Sequence, residues 1–303
     1  MRLLTALICL LVTVCAAGSD LRNSPQPGAT PGNLPEPIQL VRAAVDHEVK
    51  AAGDSSHRHM FHSRKETPQG SQTRIYVETR EAMAGMTIAY NDRPLTPDQQ
   101  RGEENRLEGL VANPEQLRHK HSVEQENADR TLRIVKALPE ALLYDYDGGS
   151  PPEAGKNGDR MVRLNFRPNP AYQPPSHVEQ VLEGMRGTLI LDVSANRIAR
   201  IDGTLFKEVA FGWGILGHLD KGGHFLVEQM PVDDGEWEIS RMTLSFTGKI
   251  LLVKSIAFKS DEVLSDFHRV PDDTSFADGV KMLKAERRKS EQGSTTPAAS
   301  RSH

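Results

Sequence analysis

Cysteine is nearly absent: the 303 residues hold two, Cys9 and Cys15. Both fall in the apolar run from Leu3 to Cys15, so a chain cleaved just beyond that run keeps no thiol for a disulfide, a thiolate nucleophile or a cysteine metal site. No later segment approaches the roughly 20 apolar residues needed to cross a bilayer as a helix. An excess of charge of one sign is lacking too. The formal net charge is −4 and there is no long basic block, which removes the electrostatic footprint of a nucleic-acid partner. The sequence also lacks G-x-S-x-G, H-E-x-x-H, a P-loop and, in a suitable context, S-x-x-K, which speaks against an enzyme. No cofactor is expected.

What is present begins with an export signal. Arg2, the apolar run and the small residues Ala16, Ala17 and Gly18 have the order and size of a cleavable secretory signal peptide over 1–18. Lipidation at Cys15 is disfavoured because Val14 is bulky where lipoprotein signals carry a small residue. Residues 19–35 are rich in Pro, Gly, Ser and Asn and read as a disordered linker; 288–303 reads as a disordered tail. Between them a single domain, 36–287, is expected to fold on its apolar core alone.

That domain opens with a helix over 37–52, in which Pro37 suits the first turn and Ile38, Val41, Val45 and Val49 recur at helical spacing. Strands are expected at 57–65, 73–80 and 85–91. From about 96 to 138 the chain becomes charged, with helix starts at Pro97 and Pro114 and Asn113 as a cap: an inserted helical hairpin lying over a sheet or projecting into solvent. Strands resume at 161–167, then at 187–193, 197–203, 204–211, 224–230, 236–247, 249–259 and 262–270. In 249–259 apolar residues occupy both faces, which predicts a mid-sheet strand covered on both sides. Spacing this regular indicates a coiled antiparallel sheet or barrel, hence an α+β, mainly antiparallel fold.

The segments GTLILDVSANRIARIDG, FGWGILGHLDKGGHFLVEQ and TGKILLVKSIAFKSDEVLSDFHRV, within 187–270, resemble the periplasmic outer-membrane lipoprotein-sorting proteins. The resemblance covers roughly the last third of the chain and consists of strand rhythm and short phrases. It implies a strongly curved, unclosed β-barrel (a half-barrel) with an N-terminal helix and the 96–138 insertion as its lid. The implied function is a periplasmic binding or carrier protein that holds a lipid or acylated peptide and touches a membrane surface transiently. The alternative is a non-enzymatic envelope scaffold whose charged 96–138 helices dock a partner protein.

The ligand-binding candidates are Phe211, Trp213, Ile215, Leu216, Phe246 and Phe258. The first four form an apolar wedge among glycines, either a lip for cargo or membrane or a plug for the barrel end. The formal G-x-G-x-x-G in this wedge is not followed by a helix, so it is not a dinucleotide site. His57 and His59, two apart on a strand, share a face and have a spacing that suits Zn²⁺ or Cu²⁺; His119 and His121, two apart on a helix, point apart. With no third ligand marked by spacing, all four are expected to face solvent, and no metal site is expected. The pairs Asp145/Asp147 and Asp233/Asp234 read as turn residues.

Overall fold

The structure, a computed structural model, describes residues 35–54, 56–149, 153–154, 160–211, 217–232, 235–250 and 254–294. The expected signal peptide with Cys9 and Cys15, the linker up to residue 34, the Asp233/Asp234 pair and the end of the tail lie outside the described residues.

Helix α1 (Pro37–Gly53) forms as its periodicity requires and buries Val41, Ala44, Val45 and Glu48. A meander of β1 (Arg58–Thr67), β2 (Gly70–Val77), β3 (Ala84–Tyr90) and the two-residue β4 (Arg93–Pro94) follows. The insertion is two helices, α2 (Pro97–Ala112) and α3 (Pro114–Ala141). Thr96 and Gln99 close a capping box at the start of α2, and the Asn113 side chain accepts from the backbone N–H groups of Glu115 and Gln116 at the start of α3. Then come β5 (Leu142–Tyr146), β6 (Glu153–Ala154), β7 (Arg160–Pro168), the short α4 (His177–Gln180) with a 3₁₀ turn at Val181–Gly184, β8 (Met185–Asp192) and β9 (Arg197–Leu205). The remaining elements are β10 (Val209–Phe211), β11 (Gly217–Leu219), β12 (His224–Pro231), β13 (Trp237–Ile250), β14 (Lys254–Val270) and α5 (Phe276–Ser294).

The strands form one antiparallel sheet in the order β4-β3-β2-β1-β14-β13-β12-β9-β8-β7-β5. Its end strands, β4 and β5, are not paired with each other among the described residues, so the fold is an α+β half-barrel, unclosed, with an N-terminal helix and an inserted helical lid. Gly187 of β8 faces Gly203 of β9. A Cβ on Gly187 would lie 1.9 Å from the Asp202 carbonyl oxygen, a distance only glycine avoids.

Three sequence expectations need correction. The run 204–211 is not one strand, because β9 continues through Leu205 and the chain pairs again only at Val209. The run 249–259 is not one strand either. β13 extends to Ile250 and β14 starts at Lys254, with Ile250 opposite Lys254; β14 is mid-sheet, yet Lys254, Ser255, Ala257 and Lys259 are exposed, so one face only is covered. Finally, α5 carries the fold to Ser294, past the boundary expected at 287. Phe276, Val280 and Leu283 form its buried stripe, at a spacing that the surrounding charge obscures.

The sheet supports two cores. The larger packs Val41, Val45 and Leu138 of α1 and α3 against Leu164, Leu189, Leu191 and Leu244; the smaller packs Leu107 of α2 and Phe276 and Leu283 of α5 against Ile75, Val77 and Met86. The charges of the insertion are largely used within the chain. Glu103 accepts from the Thr87 backbone N–H at 2.7 Å and Glu124 from that of Met83 at 3.0 Å, while Arg106 donates to the Gly85 carbonyl at 2.6 Å. These groups cover the open edge of β3, which β4 reaches only at Ala89 and Tyr90. Lys284 and Arg287 of α5 reach Glu108 and Glu104 of α2 at 2.6 and 2.7 Å.

Between β13 and β14, Arg241 grips Asp261 with two bonds of 3.0 and 2.8 Å, and Thr243 adds a third at 2.8 Å. The Arg241 bond leads in holding the Asp261 carboxyl below the usual carboxylate range, against a desolvation that raises it. A carboxyl depressed in the folded state stabilises the fold above its unfolded value, near 3.9, and loses that contribution as pH falls through the folded value. Asp261→Asn should therefore lower the melting temperature slightly at pH 7, with wild type and variant converging in thermal melts as the pH falls through the carboxyl's lowered folded-state value.

Candidate functional site: an apolar cavity under the lid

Helix α1 and the C-terminal half of α3 lie on the concave face of the sheet without filling it. Between them and the sheet is a cavity of about 210 Å³. Its roof is Thr131, Leu132, Ile134, Val135 and Leu138 of α3, a stripe at helical spacing. Its floor comes from Ile198 and Ile201 of β9, Phe225 and Val227 of β12, and Ile239, Met242, Leu244 and Phe246 of β13. Leu142, Phe166, Leu182 and Met185 close one side.

Two bulges set the floor. Opposite Gln229 and Glu228 of β12 stand Ile239 and Arg241, leaving Ser240 extra, and opposite Leu191 and Ile190 of β8 stand Ile198 and Arg200, leaving Ala199 extra. Each extra residue shifts the alternation by one, so that Ile239 and Met242, and likewise Ile198 and Ile201, face the same side.

The polar groups of the cavity are few. Glu48, 3 % exposed, receives Arg197 through Nε at 2.9 Å and Nη2 at 3.2 Å, and the Ile198 N–H at 3.1 Å; Arg197 also donates to Gln229 at 3.2 Å. The Arg197 guanidinium lies 5.8 Å from the Trp237 ring centre. This network ties α1 to β9 at one end of the cavity, where Gln125 and Asp129 of α3 complete a polar rim. At the other end of α3 the Tyr144 hydroxyl donates to the Leu138 carbonyl at 2.9 Å, and burial pushes its phenol pKa well up.

Of the sequence candidates, Phe246 lines the cavity. Phe211 is buried in the main core and Phe258, paired with Phe246 across β13 and β14, packs on that core; neither is part of the cavity wall, because they lie beyond its edge. Trp213, Ile215 and Leu216 lie outside the described residues. Among the described residues, the site centres on α3 and the sheet, with Leu219 of β11 also on its wall. Gly217, the last glycine of the G-x-G-x-x-G, begins β11, where that motif requires a helix.

Known proteins give no further guide. No family profile, no characterised protein and no solved structure matches the chain. The likeness to the lipoprotein-sorting carriers therefore stands on the segments quoted above.

Among the histidines, His119 is exposed and His121 half-buried on α3, whereas His59, expected at the surface, is 2 % exposed. Asp147 lies in the 3₁₀ turn Asp147–Gly149 just past β5 and Asp145 near the end of β5, and they pair with Arg163 and Arg167 of the neighbouring strand β7 at 3.8 and 3.4 Å. Sequence reasoning missed Glu48 and Arg197. A charged residue in register with Val41 and Val45 on the apolar face of α1 was the available signal.

Proposed function

We propose that the protein is an exported periplasmic carrier that buries an acyl chain, of a lipid or an acylated peptide, between its half-barrel and its helical lid. The observation that carries this reading is the apolar cavity roofed by α3 and floored by β9, β12 and β13. Its volume is below the roughly 300–1,000 Å³ of sites for whole small molecules, which suits one acyl segment. Each methylene transferred into such a space contributes about 0.8 kcal/mol, enough to hold a chain without covalent chemistry. The scaffold alternative calls for a filled interior and an exposed helical face. α2 and the N-terminal half of α3 are largely exposed, so it is the cavity that favours the carrier.

Native mass spectrometry with lipid extraction, on protein purified from a bacterial periplasm, tests the reading. A co-purifying acyl species is the expected result. A ligand-free mass together with no binding of a fluorescent fatty-acyl probe would sink it.

A further inference from the structure

A second group of side chains lies away from the acyl cavity, where the two ends of the sheet's long strands diverge. β14 pairs with β13 only as far as Val263 and continues to Val270 against β1 alone, so the start of β13 is free to turn toward the β1–β2 corner. There His59 of β1, Glu78 just after β2 and Glu238 of β13 meet, all three buried. Each offers one ligand atom, and these atoms lie within 4.8 Å of one another. Tetrahedral ligands about 2.0–2.1 Å from a metal stand roughly 3.4 Å apart, so small side-chain rotations bring the three to bonding distance.

His59 is the telling member. Its Nδ1 is buried and 3.1 Å from Glu238 Oε1, yet out of line for a hydrogen bond, and it has no other hydrogen-bond partner. A ring nitrogen aimed at two carboxylates without a hydrogen bond is oriented as a metal ligand is. The backbone around it is fixed. The His59 N–H donates to Glu78 Oε2 at 2.8 Å, the Glu78 N–H donates to the His59 carbonyl at 2.9 Å, and the His59 ring meets Phe267 edge to face at 6.2 Å. A cation also has a way in: Glu78 lines a polar cleft of about 290 Å³ beside α1 and α3, with His57 and His121 on its walls.

We propose that His59, Glu78 and Glu238 bind one divalent transition cation of the Zn²⁺ or Mn²⁺ class. One imidazole nitrogen and two carboxylate oxygens suit these ions. The site is independent of the acyl cavity, so either assignment can fail without the other.

The test is equilibrium dialysis of the chelator-stripped, folded protein against Zn²⁺ and, separately, Mn²⁺, with metal content read by elemental analysis. Wild type should take up one equivalent of at least one of the two and melt at a higher temperature when loaded. His59→Gln should weaken binding on the order of a hundredfold, and Glu238→Gln, which keeps the shape of the side chain, should do the same if the histidine variant does not fold. Wild type that takes up well under one equivalent of both ions overturns the assignment. So does undiminished uptake in the folded variants, which would place the ion elsewhere, for example at the half-exposed cluster of Glu208, His218 and Asp220.

Discussion

Val135→Trp is expected to abolish acyl-probe binding while leaving the protein folded. Val135 projects from α3 into the cavity roof, and an indole there occupies space that an acyl chain would need. Overpacking a core position costs about 1–3 kcal/mol, but a pre-existing void absorbs much of it, so the melting temperature should change little. Probe affinity should fall at least tenfold, roughly 1.4 kcal/mol. Val123→Trp is the matched control, because Val123 is on the same helix, 43 % exposed and away from the cavity, and should leave affinity unchanged. Equal affinity in Val135→Trp and wild type by fluorescence titration would remove the cavity as the binding site.

The largest stability effect is expected at Glu48. Truncation to alanine strands the Arg197 guanidinium, whose side chain is 3 % exposed, without its carboxylate. Breaking a buried pair from one side costs about 3–5 kcal/mol, a large share of the roughly 5–15 kcal/mol that holds a domain together. The double replacement Glu48→Met with Arg197→Met should recover most of that loss, because removing both charges leaves no uncompensated ion. Urea unfolding followed by circular dichroism measures both. A Glu48→Ala cost under about 1 kcal/mol would show that water reaches the pair and that α1 is held by its valines alone.

The resemblance and the strand rhythm predicted the half-barrel, and Pro97, Asn113 and Pro114 placed the lid helices within a residue or two. These features were legible because they are local: a cap, a proline at a first turn, an alternation of apolar residues. The cavity floor was not. Ala199 and Ser240 each shift the strand parity by one, and nothing in a single sequence marks a bulge whose only signature is which partner a strand finds. The site forecast reached the cavity only through Phe246, because the lining is built of ordinary apolar residues drawn from seven strands and two helices. Helix α5 was missed for a related reason, since three apolar residues among many charges have meaning only once β2 and β3 present a surface to receive them. His59 was misplaced because strand spacing shows which residues share a face, and not which face is inside.

Helix α3 rests on both cores. Leu117 packs on the smaller and Ile134, Val135 and Leu138 on the larger, across a 28-residue helix roughly 42 Å long. A beam supported at both ends does not swing, for lifting it would expose two hydrophobic surfaces in one motion. On the proposed carrier reading, the passage that leaves both cores closed is the polar rim of Gln125, Asp129 and Gln229, where rotamer changes alone would widen a gap. Side-chain flips of this kind take picoseconds to nanoseconds, whereas helix displacement takes microseconds or longer. For the proposed carrier, such a doorway would be quick and small, and how long a cargo stays would be set by the depth of the apolar well behind it.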